Sequence, residues 1–147
     1  MYSIEVKNLE QVTAAIASFP KKAGIHVNEA IRKTLVSIQR DATIEAPTDT
    51  GKLRGDWDLS YGYLTGTLRN RSQYAVFMEK GTRPHFPPLE AIAPWAHRHG
   101  IAPFLVARSI AKKGTKGRHF LEKAIDKNQS VANRFFQEAL AKTIASI

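Results

Sequence analysis

Six apolar residues recur at spacings of four and three between positions 23 and 42: Ala23, Val27, Ile31, Leu35, Ile38 and Ala42. Residues at this spacing share one side of an α-helix. Lys22, His26, Glu29, Lys33 and Arg40 fall largely outside the stripe. The pattern predicts a long helix over about residues 20–45 with one face that another element must cover. Pro47 sets its end, because proline disfavours helical backbone at the residue before it, here Ala46.

The candidate cover is β-structure. Trp57, Leu59, Tyr61 and Tyr63 alternate with Asp58, Ser60 and Gly62, the clearest strand pattern in the chain. Leu64, Gly66 and Leu68 continue on shifted parity, which predicts a turn near Gly62 and a hairpin. The aromatic stripe reads as core, with Trp95 also inside. Tyr2, Ile4 and Val6 form a further short strand, followed by an amphipathic helical segment with Leu9, Val12, Ile16 and Phe19 on one face. Residues 74–80 fit either a short helix or a strand.

Five of the seven prolines lie in residues 81–103, a loop-rich connector. Pro94 is expected to open a short helix ended by Gly100, and Pro103 a second one ended by Gly114. Lys112, Lys113, Lys116 and Arg118 punctuate a glycine-bearing basic loop, read either as a flexible linker with exposed lysines or as a mobile loop touching a phosphate backbone or an acidic neighbouring subunit. A final helix is expected over about residues 119–145. Its apolar positions are Leu121, Ala124, Ile125, Val131, Phe135, Phe136, Leu140 and Ile144. The fold class is α+β: a long amphipathic helix packed on a small antiparallel β-sheet, with a helical C-terminal part. At 147 residues, one domain spanning 1–147 is expected.

The net charge is +9, and residues 98–147 carry ten Lys/Arg against three acids. Such a field suits a solubilising surface, or an acidic partner such as nucleic acid or an acidic protein face. No apolar run is long enough to span a bilayer. The first residues lack the basic-then-apolar pattern of a signal peptide. With no cysteine, disulfides and thiolate metal sites are excluded.

A catalytic site is hard to assemble. His97 and His99 are two apart, a spacing that does not share a helix face, and His85 and His119 lie elsewhere. Asp56 and Asp58 share the strand face opposite the aromatic one, the expected solvent side. The serines lack a nucleophile-elbow context. Gly114-Thr115-Lys116-Gly117 lacks the spacing and preceding strand of a phosphate-binding loop. The sequence reads as having no catalytic, cofactor-binding or metal-binding residues.

The order of motifs does carry information. The long helix ends at Ala46-Pro47 and is followed by Thr48-Asp49-Thr50-Gly51-Lys52-Leu53-Arg54 and the Trp/Tyr hairpin. Then come Tyr74-Ala75, Glu79-Lys80-Gly81-Thr82-Arg83-Pro84, a Pro/Trp segment, Ala107-Arg108-Ser109-Ile110 and His119-Phe120-Leu121. Over about residues 25–126 this order resembles the head–tail joining or tail-completion proteins of long-tailed double-stranded DNA bacteriophages and prophages. Many members carry a proline where this chain has His119.

The resemblance implies a non-enzymatic virion protein of the neck or upper tail, assembled in the bacterial host cytoplasm. It implies a homo-oligomeric ring, commonly a hexamer. It also implies contacts with a portal-side adaptor, tail terminator or tail tube, with DNA passing through the channel. The motif residues it singles out are Pro47, Asp49, Thr50, Gly51, Leu53, Arg54, Tyr74, Glu79, Gly81, Thr82 and Pro84. Gly51 and Gly81 are expected at positive φ, Thr50 as a helix cap, and Glu79 as a partner for Arg54 or a neighbouring subunit's basic residue. The rival reading is a basic, non-catalytic nucleic-acid-binding module.

Overall fold

The computed structural model describes residues 2–5 and 21–145. The expected helical segment Leu9–Phe19 lies outside the described residues. Helix α1 (Lys21–Glu45) is the long predicted helix. All six stripe residues are buried, with Leu35 and Ala42 among the most enclosed.

Strands β1 (Tyr2–Glu5), β2 (Trp57–Gly62) and β3 (Thr65–Asn70) form an antiparallel sheet in the order β1-β3-β2. The β2–β3 register runs from Trp57 opposite Asn70 to Gly62 opposite Thr65, leaving Tyr63 and Leu64 as the turn. Leu64 is buried with φ 54°, and its N–H donates to Asn28 Oδ1 on α1 at 2.8 Å. Sheet and helix meet closely at Gly66. A methyl group there would lie 2.6 Å from Leu35 Cδ1 and 2.8 Å from Ile31 Cγ2.

Helix α2 (Lys52–Gly55) fills the gap between α1 and the sheet with Leu53. Helix α3 (Ala75–Lys80) settles this segment as helical, with Tyr74 at its N-cap. Strand β4 (Gly81–Thr82) follows, then α4 (Leu89–Arg98), α5 (Pro103–Lys113) and β5 (Thr115–Lys116). Helix α6 (Phe120–Ala145) closes the order and packs antiparallel on α1. The direction follows from two contacts. Asn128 meets Ser37 and Asp41, whereas Lys142 meets Glu29. The core lies between α1, the inner sheet face and the first turns of α6, where Trp57 packs edge-on against Phe120 at 6.3 Å. The class is α+β.

Four expectations are corrected. Tyr63 is 74% exposed, because the turn begins there and the strand alternation ends. Tyr61 sits at the core's margin under the Arg32 guanidinium. Trp95 is 39% exposed and stacks on His99 at 4.2 Å, so it is not a core residue. Pro94 lies inside α4, which begins at Leu89. A proline there leaves the Glu90 carbonyl without its helical donor, and Glu90 is exposed where water can serve. Finally, Leu140 and Ile144 are exposed, while Asn128, Ala139 and Thr143 line the α1–α6 seam. One helical position, a turn of about 100°, separates the seam from the apolar residues beside it.

Candidate functional site

Two of the motif residues, Arg54 and Glu79, cap the helix ends at the corner where α1 ends and α6 begins. The last carbonyls of a helix lack intrahelical donors. Here Arg54 supplies them: Nε donates to the Ala46 carbonyl at 3.0 Å and Nη2 to Ile44 at 3.3 Å. A guanidinium at this end also suits the negative pole of the helix dipole. Half-buried Pro47 turns the chain out of α1. Gly51 occupies the N-cap position of α2 at φ 81°, and Leu53 is buried. The expected Thr50 cap does not form, because Gly51 takes the cap position and no side chain bonds there. Buried Asn70 closes the corner, donating to the Leu53 carbonyl at 2.7 Å and accepting from Ser72 N–H at 3.0 Å.

Glu79 does the opposite job for α6. It is 2% exposed, and its carboxylate accepts from Leu121 N–H at 2.9 Å and Glu122 N–H at 3.0 Å. These are orphan donors of the first turn of α6, at its positive pole. The chain entering α6 is tied to the same element, with Arg118 N–H donating to Met78 and His119 N–H to Glu79 carbonyl oxygen. The expected Glu79–Arg54 pair is therefore absent: each residue caps a different helix. His119 has φ 51°, a left-handed conformation closed to proline.

Glu79, Lys80, His119, Glu122, Ile125 and Asp126 line a hollow of about 370 Å³. Glu79, His119 and Glu122 each bring one potential ligand atom within 4.8 Å of the others. The donor set fits a cation poorly. Both Glu79 oxygens already receive helix amides, and His119 Nδ1 is engaged by Glu122 Oε2 at 2.8 Å. A cation would also face the positive pole of α6.

Beyond Glu79 the chain leaves the body as a helical arm, α4 and α5, framed by the β4–β5 ladder. Gly81 opposes Lys116 and Thr82 opposes Thr115, whose hydroxyls lie 2.9 Å apart. Gly81 and Gly114 have φ 76° and 69°. A side chain at either would collide with backbone of the facing strand. The expected flexible basic loop is thus a paired segment. Lys112 and Lys113 end α5, Lys116 lies in β5, and Arg118 is anchored by its backbone.

Asp49 ties the far part of the arm to the body. Its carboxylate receives both Arg98 Nε, at 3.1 Å, and Nη2. These bonds hold the Asp49 carboxyl below its ordinary value. Of the other motif residues, Tyr74 precedes α3 without a side-chain cap bond and Pro84 is exposed at the arm's entry.

The arm packs largely on itself. Ala96, Ala107 and Pro87 are buried in it, yet Phe86, Leu89, Trp95, Ile101, Phe104 and Leu105 are 39–56% exposed. At about 200 Å² per full side chain, these six leave roughly 500 Å² of apolar side chain in water. That amount is of the order of the largest apolar patch on a typical monomer, a kind of patch that is often functional.

Sequence reasoning missed a buried polar cluster in the α1–α6 seam. Asn128 Nδ2 donates to Asp41 Oδ2 at 2.7 Å, and Ser37 Oγ donates to Asn128 Oδ1 at 2.6 Å. The Asn128 bond, with Arg40 and Lys127 nearby, holds the Asp41 carboxyl below its ordinary value against the opposing effect of burial. The signal in the sequence was a polar residue, Asn128, seven positions after Leu121 and four after Ala124 on the same helical face.

No protein-family model, curated protein or solved structure matches this chain. Among the described residues, no helix is long and apolar enough to cross a membrane.

Proposed function

We propose that this chain is a structural virion protein of a tailed phage, joining head to tail or completing the tail as part of a ring. The observation that carries the reading is the α4–α5 arm, an element with a large apolar surface and slender ties to the body. A ring requires two different patches that meet head to tail. An arm of this kind supplies one patch, and the body of the next subunit supplies the other.

The order of motifs adds the setting: the neck or upper tail, with six copies matching the tail's symmetry, a portal-side adaptor above and a terminator or tube below. The motif residues serve this role as framework. Arg54, Glu79 and Gly81 fix the corner from which the arm projects. The reading calls on no catalytic group and no cofactor.

Light scattering at low and high salt tests it. The wild type should form a discrete ring-sized oligomer that persists in high salt, as an apolar contact does. Phe104→Ser with Leu105→Ser should dissociate it, with the helical circular-dichroism signal retained. A strict monomer at every concentration would refute the self-assembling ring. An oligomer indifferent to the arm substitutions would refute the role of the arm.

A further inference from the structure

The β4–β5 ladder places two separate basic segments side by side. Arg83 follows β4, while Lys112, Lys113, Lys116 and Arg118 lie in or beside β5. All five are exposed, and residues 81–83 and 112–118 contain no acid. The adjacent Glu79 is turned inward onto α6, and Glu122 is engaged by His119.

Paired strands lie about 4.8 Å apart, so the ladder sets Arg83, next to Thr82, close to the segment that carries Lys116. The frame is stiff. Gly117 packs so closely that a side chain would lie 2.6 Å from the Glu79 carbonyl oxygen, and the Thr82 and Thr115 hydroxyls lock the strands.

We infer that this two-segment basic face is a binding site for the phosphate backbone of duplex DNA, read without regard to sequence. Duplex DNA offers one charge per about 1.7 Å of axis, so a face of this breadth meets several phosphates at once. An acidic protein surface presents charge far more sparsely. The inference rests on the assembly reading for its setting, a channel through which DNA passes, and not for its chemistry.

The test is fluorescence anisotropy of the full chain with a labelled 30-base-pair duplex of arbitrary sequence across a salt series. Four or five phosphate contacts give a log–log salt slope of about −3.5 to −4.5. Arg83→Gln with Lys116→Gln, one cation from each segment, should make the slope shallower by about 2. Arg134→Gln with Lys142→Gln removes equal charge, but these residues lie about 20–30 Å along α6 from its first turn. That variant should leave the slope unchanged.

Three results would overturn the site: no binding at 20 mM salt, equal losses in both variants, or binding of polyglutamate with none of the duplex. Arg83→Gln alone decides the two-segment geometry, since an unchanged slope would confine binding to the 112–118 segment. A ring with no DNA affinity would overturn this site and leave the assembly reading standing. A monomer that binds DNA through these five cations would do the reverse.

Discussion

Glu79→Ala removes the carboxylate that caps α6 and should be the most damaging single change among the motif residues. Two effects set the size. The Leu121 and Glu122 amides each lose a hydrogen bond to a charged acceptor. Such a bond is worth about 1.5–3 kcal/mol, and the buried Leu121 amide is then left without a partner. Methyl-sized collapse around the deleted side chain and water entry at the half-open Glu122 amide recover part of this. The expected loss is about 3 kcal/mol, a midpoint shift of about 9 °C for a chain of this size.

Glu79→Gln separates charge from shape. Its carbonyl oxygen can still accept one amide, but its NH₂ group faces the other, so about 2 kcal/mol should be lost. Thermal melts and urea titrations followed by circular dichroism read both values. A Glu79→Ala loss below about 0.5 kcal/mol would refute the capping assignment, because the remaining contacts at this corner would then be holding α6 unaided.

Arg54→Ala should cost about 1 kcal/mol by freeing the α1 carbonyls, and denaturant titration measures it. Asn128→Ala deprives buried Asp41 of its closest donor and should cost about 2–3 kcal/mol in the same assay. The lowered pKa of Asp41 gives a pH signature. A carboxyl whose folded value lies below its unfolded value near 3.9 contributes stability that is complete above that value. The contribution fades as pH falls through the folded value, so Asp41→Asn should flatten the acid limb of the stability curve below about pH 4. Asp49→Asn should leave the global midpoint unchanged yet speed amide exchange in α4, since it releases the arm's exposed tie to the body. Gly114→Ala should cost about 1–3 kcal/mol in backbone strain alone, visible as proteolysis within residues 83–113.

Legibility in the sequence followed the strength of the local rule. The α1 stripe, the stop at Pro47, the 57–70 hairpin, and the glycines at 51, 81, 100 and 114 answer to periodicity and to backbone sterics, which act within a few residues. What was hidden depends on pairings made across the fold. Glu79 reaches an amide 42 positions away, Asp49 meets Arg98 across 49, and Asn128 meets Asp41 across 87. No window of sequence contains both partners. The basic segment 112–118 read as a loose loop for the same reason: its ladder partner, Gly81–Thr82, is a separate short segment. Leu140 and Ile144 misled because hydrophobicity alone marks a face, whereas the seam is chosen by which residues let two helices approach. Ala139 and Thr143 are small enough to do so.

The same geometry divides the chain's residues into a frame and a surface. Arg54 ends one long helix, Glu79 starts the other, and the glycines at 81 and 114 let the ladder close between them. Each is required by backbone groups that would otherwise go unsatisfied or collide. These residues build the frame. What the frame holds out to solvent is a different set of residues: the arm's aromatics and the cations along the ladder. If the assembly reading is right, substitutions in the two sets must separate. Cap and glycine variants should lose stability and assembly together. Arm and ladder variants should lose assembly or DNA contact at unchanged stability. A chain in which every loss of assembly tracked a loss of stability would have no dedicated interface, and the functional reading would fail even with the fold intact.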